Sequence, residues 1–183
     1  ANIRSTKSTS GWSAVGGLTA NRWIHGHRAG GSSSGSGAAV AAGLTQWSIG
    51  SETDGSIICP ASLNGCVGIK PTVGAIPRDG MIPISESQDS PGPMSQTVEQ
   101  AALLLDVLTS KDKYLKAAYG DEGLKVGVVK QWISEDSKLG ALFEETLQKL
   151  ERNGVTLVEV ELTPPTDTEQ DDELLDEYMD ELE

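Results

Sequence analysis

The sequence predicts an α/β fold with some parallel pairing, and three consecutive segments carry that expectation. KVGVV (125–129) reads as a strand, Leu139 to about Arg152 as an amphipathic helix ended by Asn153 and Gly154, and VTLVEVEL as a second strand. Strand, helix and strand in that order make a crossover unit whose strands run parallel.

The elements before it follow from local chemistry. From Ala1 to about Gly37 the chain is rich in Ser, Thr, Gly and Arg and lacks periodicity. Trp12, Val15, Trp23 and Ile24 interrupt that stretch, and since side chains of this size usually need burial, it is expected to be ordered loop. Small residues without β-branching predict a helix from Ser36 to about Leu44, able to approach its neighbours closely. A short strand is expected at Trp47 to Gly50, a sharp turn at SETDGS, a short helix at Ile57 to Leu63 and a strand at CVGIK (66–70). Five prolines between positions 71 and 93 predict mostly loop there. Thr97 and Gln100 have the spacing of a capping box, and Val98, Ala101, Ala102, Leu105 and Leu108 share one face of the helix that follows. The final segment, DDELLDEYMDELE, spaces Leu174, Tyr178 and Leu182 by single helical turns behind an acidic face.

Composition narrows the function. The 183 residues suffice for one domain or a large piece of one. Net charge is −13, but ten of the acidic residues lie between Asp167 and Glu183, and without them the balance is −3. No basic stripe remains to neutralise a phosphate backbone, so a nucleic-acid partner is not expected. No apolar run approaches the roughly 20 residues that span a bilayer, so no membrane partner is expected either. Cys59 and Cys66 are expected to be buried free thiols. The chain begins at Ala1 with neither methionine nor leader, which leaves the compartment open.

The stretch GGSSSGSG (30–37) admits a phosphate cradle, a serine nucleophile with supporting hydroxyls, or a flexible spacer. A phosphate loop needs a lysine that GSETDGS (50–56) replaces with serine, and the two carboxylates in that stretch would repel phosphate. A dinucleotide fingerprint fails because Val40 stands at its third glycine. GSSSG (31–35) fits the nucleophile-elbow pattern with Ser33 as attacker, yet it lacks a preceding strand, and both histidines, His25 and His27, come before it. Those two histidines have no third metal ligand nearby and read as loop residues. The remaining possibility uses serines in two places. A serine and lysine pair can generate a nucleophile, and a glycine-containing turn such as ETDGSI (52–57) can aim backbone N–H groups at an oxyanion. The helix after that turn would add its positive end.

At these residues the chain resembles the amidase signature family. GGSSSGSGAAVAAG, IGSETDGSIICPAS, LNGCVGIKPTVGAIPRDGMIPIS and DSPGPMSQTVEQAALLLDVL occur in the family's order and spacing over residues 30–110, and RSTKSTSGWSAVGG (4–17) looks closest to its peptide-amidase-like branch. The resemblance implies a mixed β-sheet core flanked by helices, incomplete in this chain, with residues 1–118 carrying the motifs and 119–183 continuing the same domain. It implies that Ser56 is the nucleophile, and that Ser32 is a serine held by a cis peptide bond that relays its proton to a lysine. The N–H groups of Thr53, Asp54, Gly55 and Ser56 would form the oxyanion hole, and Ser33 would be a supporting hydroxyl. Capping and turn formation are the plainer reading of Ser32, Ser33 and Ser34.

The family's lysine lies further upstream of the serine loop than this chain extends; Lys7 is too close, and Lys70 belongs to a GIKPT motif with a structural role. Asp54 stands where glycine is commoner, and Ile58 where an arginine often follows. The implied activity is hydrolysis of a small-molecule or peptide amide without metal or organic cofactor, with the remainder of its own domain as partner. A non-catalytic remnant or interaction module that keeps the fold, and a glutamine-dependent amidotransferase component that passes ammonia from glutamine to a charged tRNA, are the alternatives. By itself the chain is expected to be inactive.

Overall fold

A computed structural model describes residues 10–120, 123–132 and 137–162, and these fall into two compact units, one ending at Tyr119 and one beginning at Gly120. The acidic segment 171–183 lies outside the described residues.

The first unit opens with a small antiparallel ladder, β1 (Trp12–Ser13) with β2 (Gly17–Leu18). Then come α1 (Ser34–Ala41), β3 (Trp47–Glu52), α2 (Ile58–Asn64), β4 (Val67–Gly68), β5 (Ser90–Ser95), α3 (Val98–Thr109) and α4 (Tyr114–Ala117). The strands form a three-stranded antiparallel sheet in the order β3-β5-β4. Its apolar centre is small: Ile57, Ala61 and Met94, with Cys66 packed against them. A core of that size needs backbone to approach backbone. Inside α1, a Cβ on Gly37 would lie 3.2 Å from Asn64, Met94 and Pro60 atoms, so a small residue is what lets α1 lie on α2 and β5.

The central strand β5 falls partly inside the proline-rich stretch expected to be loop. An antiparallel residue offers its N–H and C=O to the same neighbour. The Pro93 carbonyl accepts from the Ile69 N–H at 3.1 Å, so Pro91 and Pro93 turn their missing donors away from β3. On that side β4 pairs only with Met94 and Ser95, and the prolines remove no bond from the β3 ladder.

The described part of the N-terminal loop, residues 10–37, is tied to the rest of the unit, but not by burial. Trp12, Val15, Trp23 and Ile24 are 44%, 102%, 63% and 53% exposed. Polar handles tie the loop instead: Trp23 Nε1 donates to the Asn64 carbonyl at 2.6 Å, Asn21 Nδ2 to the Leu63 carbonyl at 2.7 Å, and buried Asn64 returns its Nδ2 to the Ala29 carbonyl at 2.6 Å. Both cysteines are free, but Cys59 is exposed and Cys66 only half-buried, because Cys59 sits on the outer face of α2. Burial pushes the Cys66 thiol above its ordinary pKa.

Helix α3 begins at the predicted cap: Thr97 Oγ1 accepts from the Gln100 N–H at 3.2 Å, and Gln100 Oε1 reaches back to the Gln96 N–H at 3.2 Å, one residue earlier than the ideal box. Ala101, Ala102 and Leu105 are buried on the expected face, Leu108 is half-buried, and Val98 is exposed in the first turn. Asp106 shares the buried face because its carboxylate has work there. It accepts from the N–H groups of Lys113, Tyr114 and Leu115, each at 2.9 Å, and so caps the short helix α4.

In the second unit, β6 (Lys125–Val128) and β7 (Thr156–Glu159) pair in parallel through α5 (Ser137–Arg152), as the sequence pattern predicts. Gly154 at φ +84° turns the chain out of α5. Leu142, Phe143, Leu147 and Leu150 of α5, with Val126 and Val128 of β6, line an open groove of about 670 Å³. Among the described residues no helix is long and apolar enough to cross a membrane.

Burial opposes ionisation of Asp106, but its three backbone donors and the nearby Lys116 charge outweigh it and hold the carboxyl below its ordinary pKa. A lowered folded pKa adds stability above the unfolded value, about 4, and loses it as pH falls through the folded one. Asp106→Asn is therefore expected to destabilise the protein at pH 7 and to close that gap towards pH 2. Urea unfolding at both pH values checks this.

Candidate active site

Strand β3 delivers Glu52 to the sheet edge, and the chain then turns through Thr53, Asp54, Gly55 and Ser56 into α2. Gly55 adopts φ +73°, which disfavours any residue with a Cβ. The Glu52 carboxylate folds back over the turn, its Oε2 accepting from the Ile57 N–H at 2.6 Å and the Ile58 N–H at 2.9 Å. The positive end of α2, expected from the sequence to face an oxyanion, is thus occupied by Glu52. Only the N–H groups of the turn itself are left for that role.

The serine loop meets this turn from the α1 side. Gly30 enters at φ +75°, and a Cβ there would lie 2.9 Å from Pro60 Cα. The Gly31–Ser32 peptide bond is cis. The Ser33 N–H donates to the Ser56 carbonyl at 3.1 Å, which joins two segments more than twenty residues apart. Ser33 occupies the N-cap position of α1 without capping through its side chain. Its hydroxyl instead spans to β3, donating to the Ser51 carbonyl at 3.2 Å and accepting from the Ser51 N–H at 3.1 Å. Ser34 Oγ donates to the Gly30 carbonyl at 2.5 Å, and Ser36 Oγ to the Ile49 carbonyl at 2.9 Å. The hydroxyls of Ser32 and Ser56, both half-buried residues, take no part in this stitching. Of the other sequence-derived candidates, Thr53 is buried, Gly55 and Ser33 are half-buried, and Asp54 is exposed.

Three supporting side chains were not assigned to the site by sequence reasoning. Glu52 closes the turn, as described. Asp89, 4% exposed, accepts the Thr53 hydroxyl at 2.5 Å on Oδ1 and the N–H groups of Ile84 and Ser85 at 2.8 and 3.2 Å on Oδ2. Lys70 donates its Nζ to the Thr53 carbonyl, which gives its expected structural role a specific partner. A carboxylate just before a turn is a signal for Glu52. Nothing in the local pattern around Asp89 announces a partner 36 residues away.

The arrangement places the half-buried Ser56 on a glycine-containing turn whose Thr53 side chain is taken up by Asp89. Comparison with known proteins agrees with the motif reading. The family model described as Amidase matches residues 4–178. A mandelamide hydrolase of Pseudomonas putida is 43% identical over 145 residues, which are 78% of this chain and 28% of that protein. A glutamyl-tRNA(Gln) amidotransferase component of Acinetobacter baumannii is 41% identical over 172 residues, covering 85% of this chain and 35% of that one. The X-ray structure of native peptide amidase from Stenotrophomonas maltophilia superposes with a TM-score of 0.79 at 42% identity, over 88% of this chain and 37% of that chain. The chain therefore spans about a third of the length of these relatives.

Ser33→Ala removes both bonds to Ser51 while leaving the backbone bond to Ser56 in place. It is expected to cost about 1–2 kcal/mol in chemical denaturation, the usual net worth of one or two hydrogen bonds. Gly50→Ala should cost more, because its Cβ would lie 2.8 Å from both Ile57 Cγ1 and Ser33 Oγ.

Proposed function

The chain belongs to the amidase family, and on that premise we propose that it carries the nucleophile, the relay serine and the oxyanion turn of a serine amidohydrolase that cleaves carboxamide C–N bonds. The observation that carries this reading is the Ser33 N–H to Ser56 carbonyl bond, which sets the serine loop against the turn that holds Ser56.

In the proposed reaction Ser56 Oγ attacks the amide carbon while its proton passes to Ser32 and from Ser32 to a lysine base. The carbonyl oxygen becomes an oxyanion and is met by N–H groups of Thr53, Asp54, Gly55 and Ser56. The C–N bond then breaks, Ser32 returns the proton to the leaving amine, and the acyl group stays on Ser56 until water removes it. Lys70 is held by the Thr53 carbonyl and is not the base. Two relatives, a mandelamide hydrolase and a peptide amidase, support the amide of a small acid or of a peptide as the substrate class.

A second reading rests on the 41% identity to the glutamyl-tRNA(Gln) amidotransferase component over 85% of the chain. There the same acyl-enzyme chemistry would release ammonia from glutamine to a partner. A full-length protein that hydrolyses glutamine and no other carboxamide would favour it.

A fluorophosphonate probe tests the nucleophile in the full-length protein. Labelling is expected on Ser56 and is expected to vanish in Ser56→Ala; labelling that persists unchanged in that variant would overturn the assignment. Residues 1–183 alone should hydrolyse amides at no more than about a thousandth of the full-length rate, since removing one member of such a triad costs on the order of 10³ or more. Steady-state turnover of both polypeptides on one amide substrate measures the ratio.

A further inference from the structure

The turn that holds Ser56 is fixed from outside by residues that the proton relay does not use. Thr53 is pinned at two points. Its hydroxyl is taken by Asp89 Oδ1 at 2.5 Å, and its carbonyl is taken by Lys70 Nζ. Asp89 is itself immobilised, because Oδ2 closes its own loop through the N–H groups of Ile84 and Ser85. Both Asp89 and Thr53 are buried, at 4% exposure each, so the bond between them is not traded freely for water.

Peptide planarity turns those two tethers into control of a donor. In a trans peptide the carbonyl and the N–H that follows point in opposite directions. The Thr53–Asp54 peptide is trans, so holding the Thr53 carbonyl on Lys70 sets the Asp54 N–H on the opposite side of the same plane. The hydroxyl bond to Asp89 removes the remaining freedom of Thr53 about that plane. Glu52 anchors the other end of the turn through Ile57 and Ile58. Between the two anchors, Asp54 to Ser56 has little room to reorient.

We propose that Asp89 and Lys70 are positioning residues that clamp Thr53 by its hydroxyl and its carbonyl and thereby aim the Asp54 N–H at the oxyanion formed on Ser56. The inference rests on the reading of Ser56 as nucleophile. Neither residue touches substrate. Each acts by denying the turn a conformation in which its N–H groups are misdirected, and that bears on the transition state more than on binding.

The test measures fluorophosphonate inactivation of the full-length protein, separating the maximal rate, kinact, from the half-saturating concentration, KI. In that reaction a Ser56 Oγ–P bond forms as the P–F bond breaks, fluoride leaves, and the hydroxyl proton passes through Ser32 to the lysine base of the full-length protein. Thr53→Val keeps the side-chain shape and deletes the donor to Asp89. It is expected to lower kinact about tenfold or more, a fraction of the 10²–10³ lost when an oxyanion donor is removed outright. KI is expected to stay within about twofold, since binding that is equal in ground and transition state is not what the clamp supplies. Lys70→Met should lower kinact in the same direction.

Asp89→Ala also opens the 84–89 loop and is judged through the cycle it forms with Thr53→Val, not alone. Because Asp89 acts through the Thr53 hydroxyl, adding Asp89→Ala to Thr53→Val should cost far less kinact than Asp89→Ala costs by itself. A merely structural role would lower the melting temperature and leave kinact of the folded fraction unchanged. Wild-type kinact in folded Thr53→Val, or fully additive losses in the cycle, would overturn the clamp while leaving Ser56 as nucleophile. Failure of the probe to label Ser56 in the wild type would instead bring down the reading on which the clamp rests.

Discussion

The serine loop and the turn that holds Ser56 meet only because α1, β3 and α2 come together with almost no side chain between them. Gly50 faces Gly92 in the β3–β5 register. A Cβ on Gly50 would strike Ile57 and Ser33 at 2.8 Å, and one on Gly92 would overlap the Ile69 carbonyl. That closeness is what allows a hydroxyl as short as that of Ser33 to span from a helix terminus to a strand backbone. Larger residues would separate the layers, and the bonds from Ser33 to Ser51 and Ser56 would open with them. The small apolar core and the dense polar stitching are therefore one design, in which short side chains bring polar backbone groups within reach.

Carboxylates finish what the small residues begin. Glu52, Asp89 and Asp106 are all buried, and each directs its oxygens to backbone donors: two N–H groups for Glu52, two and a hydroxyl for Asp89, three for Asp106. A buried acidic group with that many donors holds a loop closed at a point where no apolar contact is available. This also explains why the region fails as a phosphate cradle. The first N–H groups of α2, which would greet an anion, already hold one.

Sequence reasoning read the elements whose signals are periodic or compositional. The capped helix at Thr97 and the parallel unit of β6, α5 and β7 follow from spacing alone, and the family was visible in four motif blocks. It failed where tertiary context overrode a local rule. Prolines argue against a strand, yet β5 tolerates Pro91 and Pro93 because their missing donors face the short side of the sheet. Large side chains argue for burial, yet Trp23 is kept by its indole N–H and not by its ring. The tethers on Thr53 were beyond reach for a different reason. A bond between residues 36 positions apart leaves no mark on the periodicity of either segment.

Under the proposed function the serine cluster divides its labour. Structural serines and a reactive serine make opposite demands on their hydroxyls. A structural hydroxyl is useful when its proton is committed to a fixed acceptor, as Ser34 commits to Gly30, Ser36 to Ile49 and Ser33 to Ser51. A nucleophile or a relay must release its proton and take it back, so a fixed backbone partner would work against it. Within one short loop the structure commits the hydroxyls on either side of the exposed Gly35 and leaves that of Ser32 outside the stitching, half-buried in the segment that adjoins Ser56 through the Ser33 bond. Most of the cluster thus builds a rigid frame, and under the proposed function that frame would give the remaining hydroxyl a defined place from which to exchange a proton.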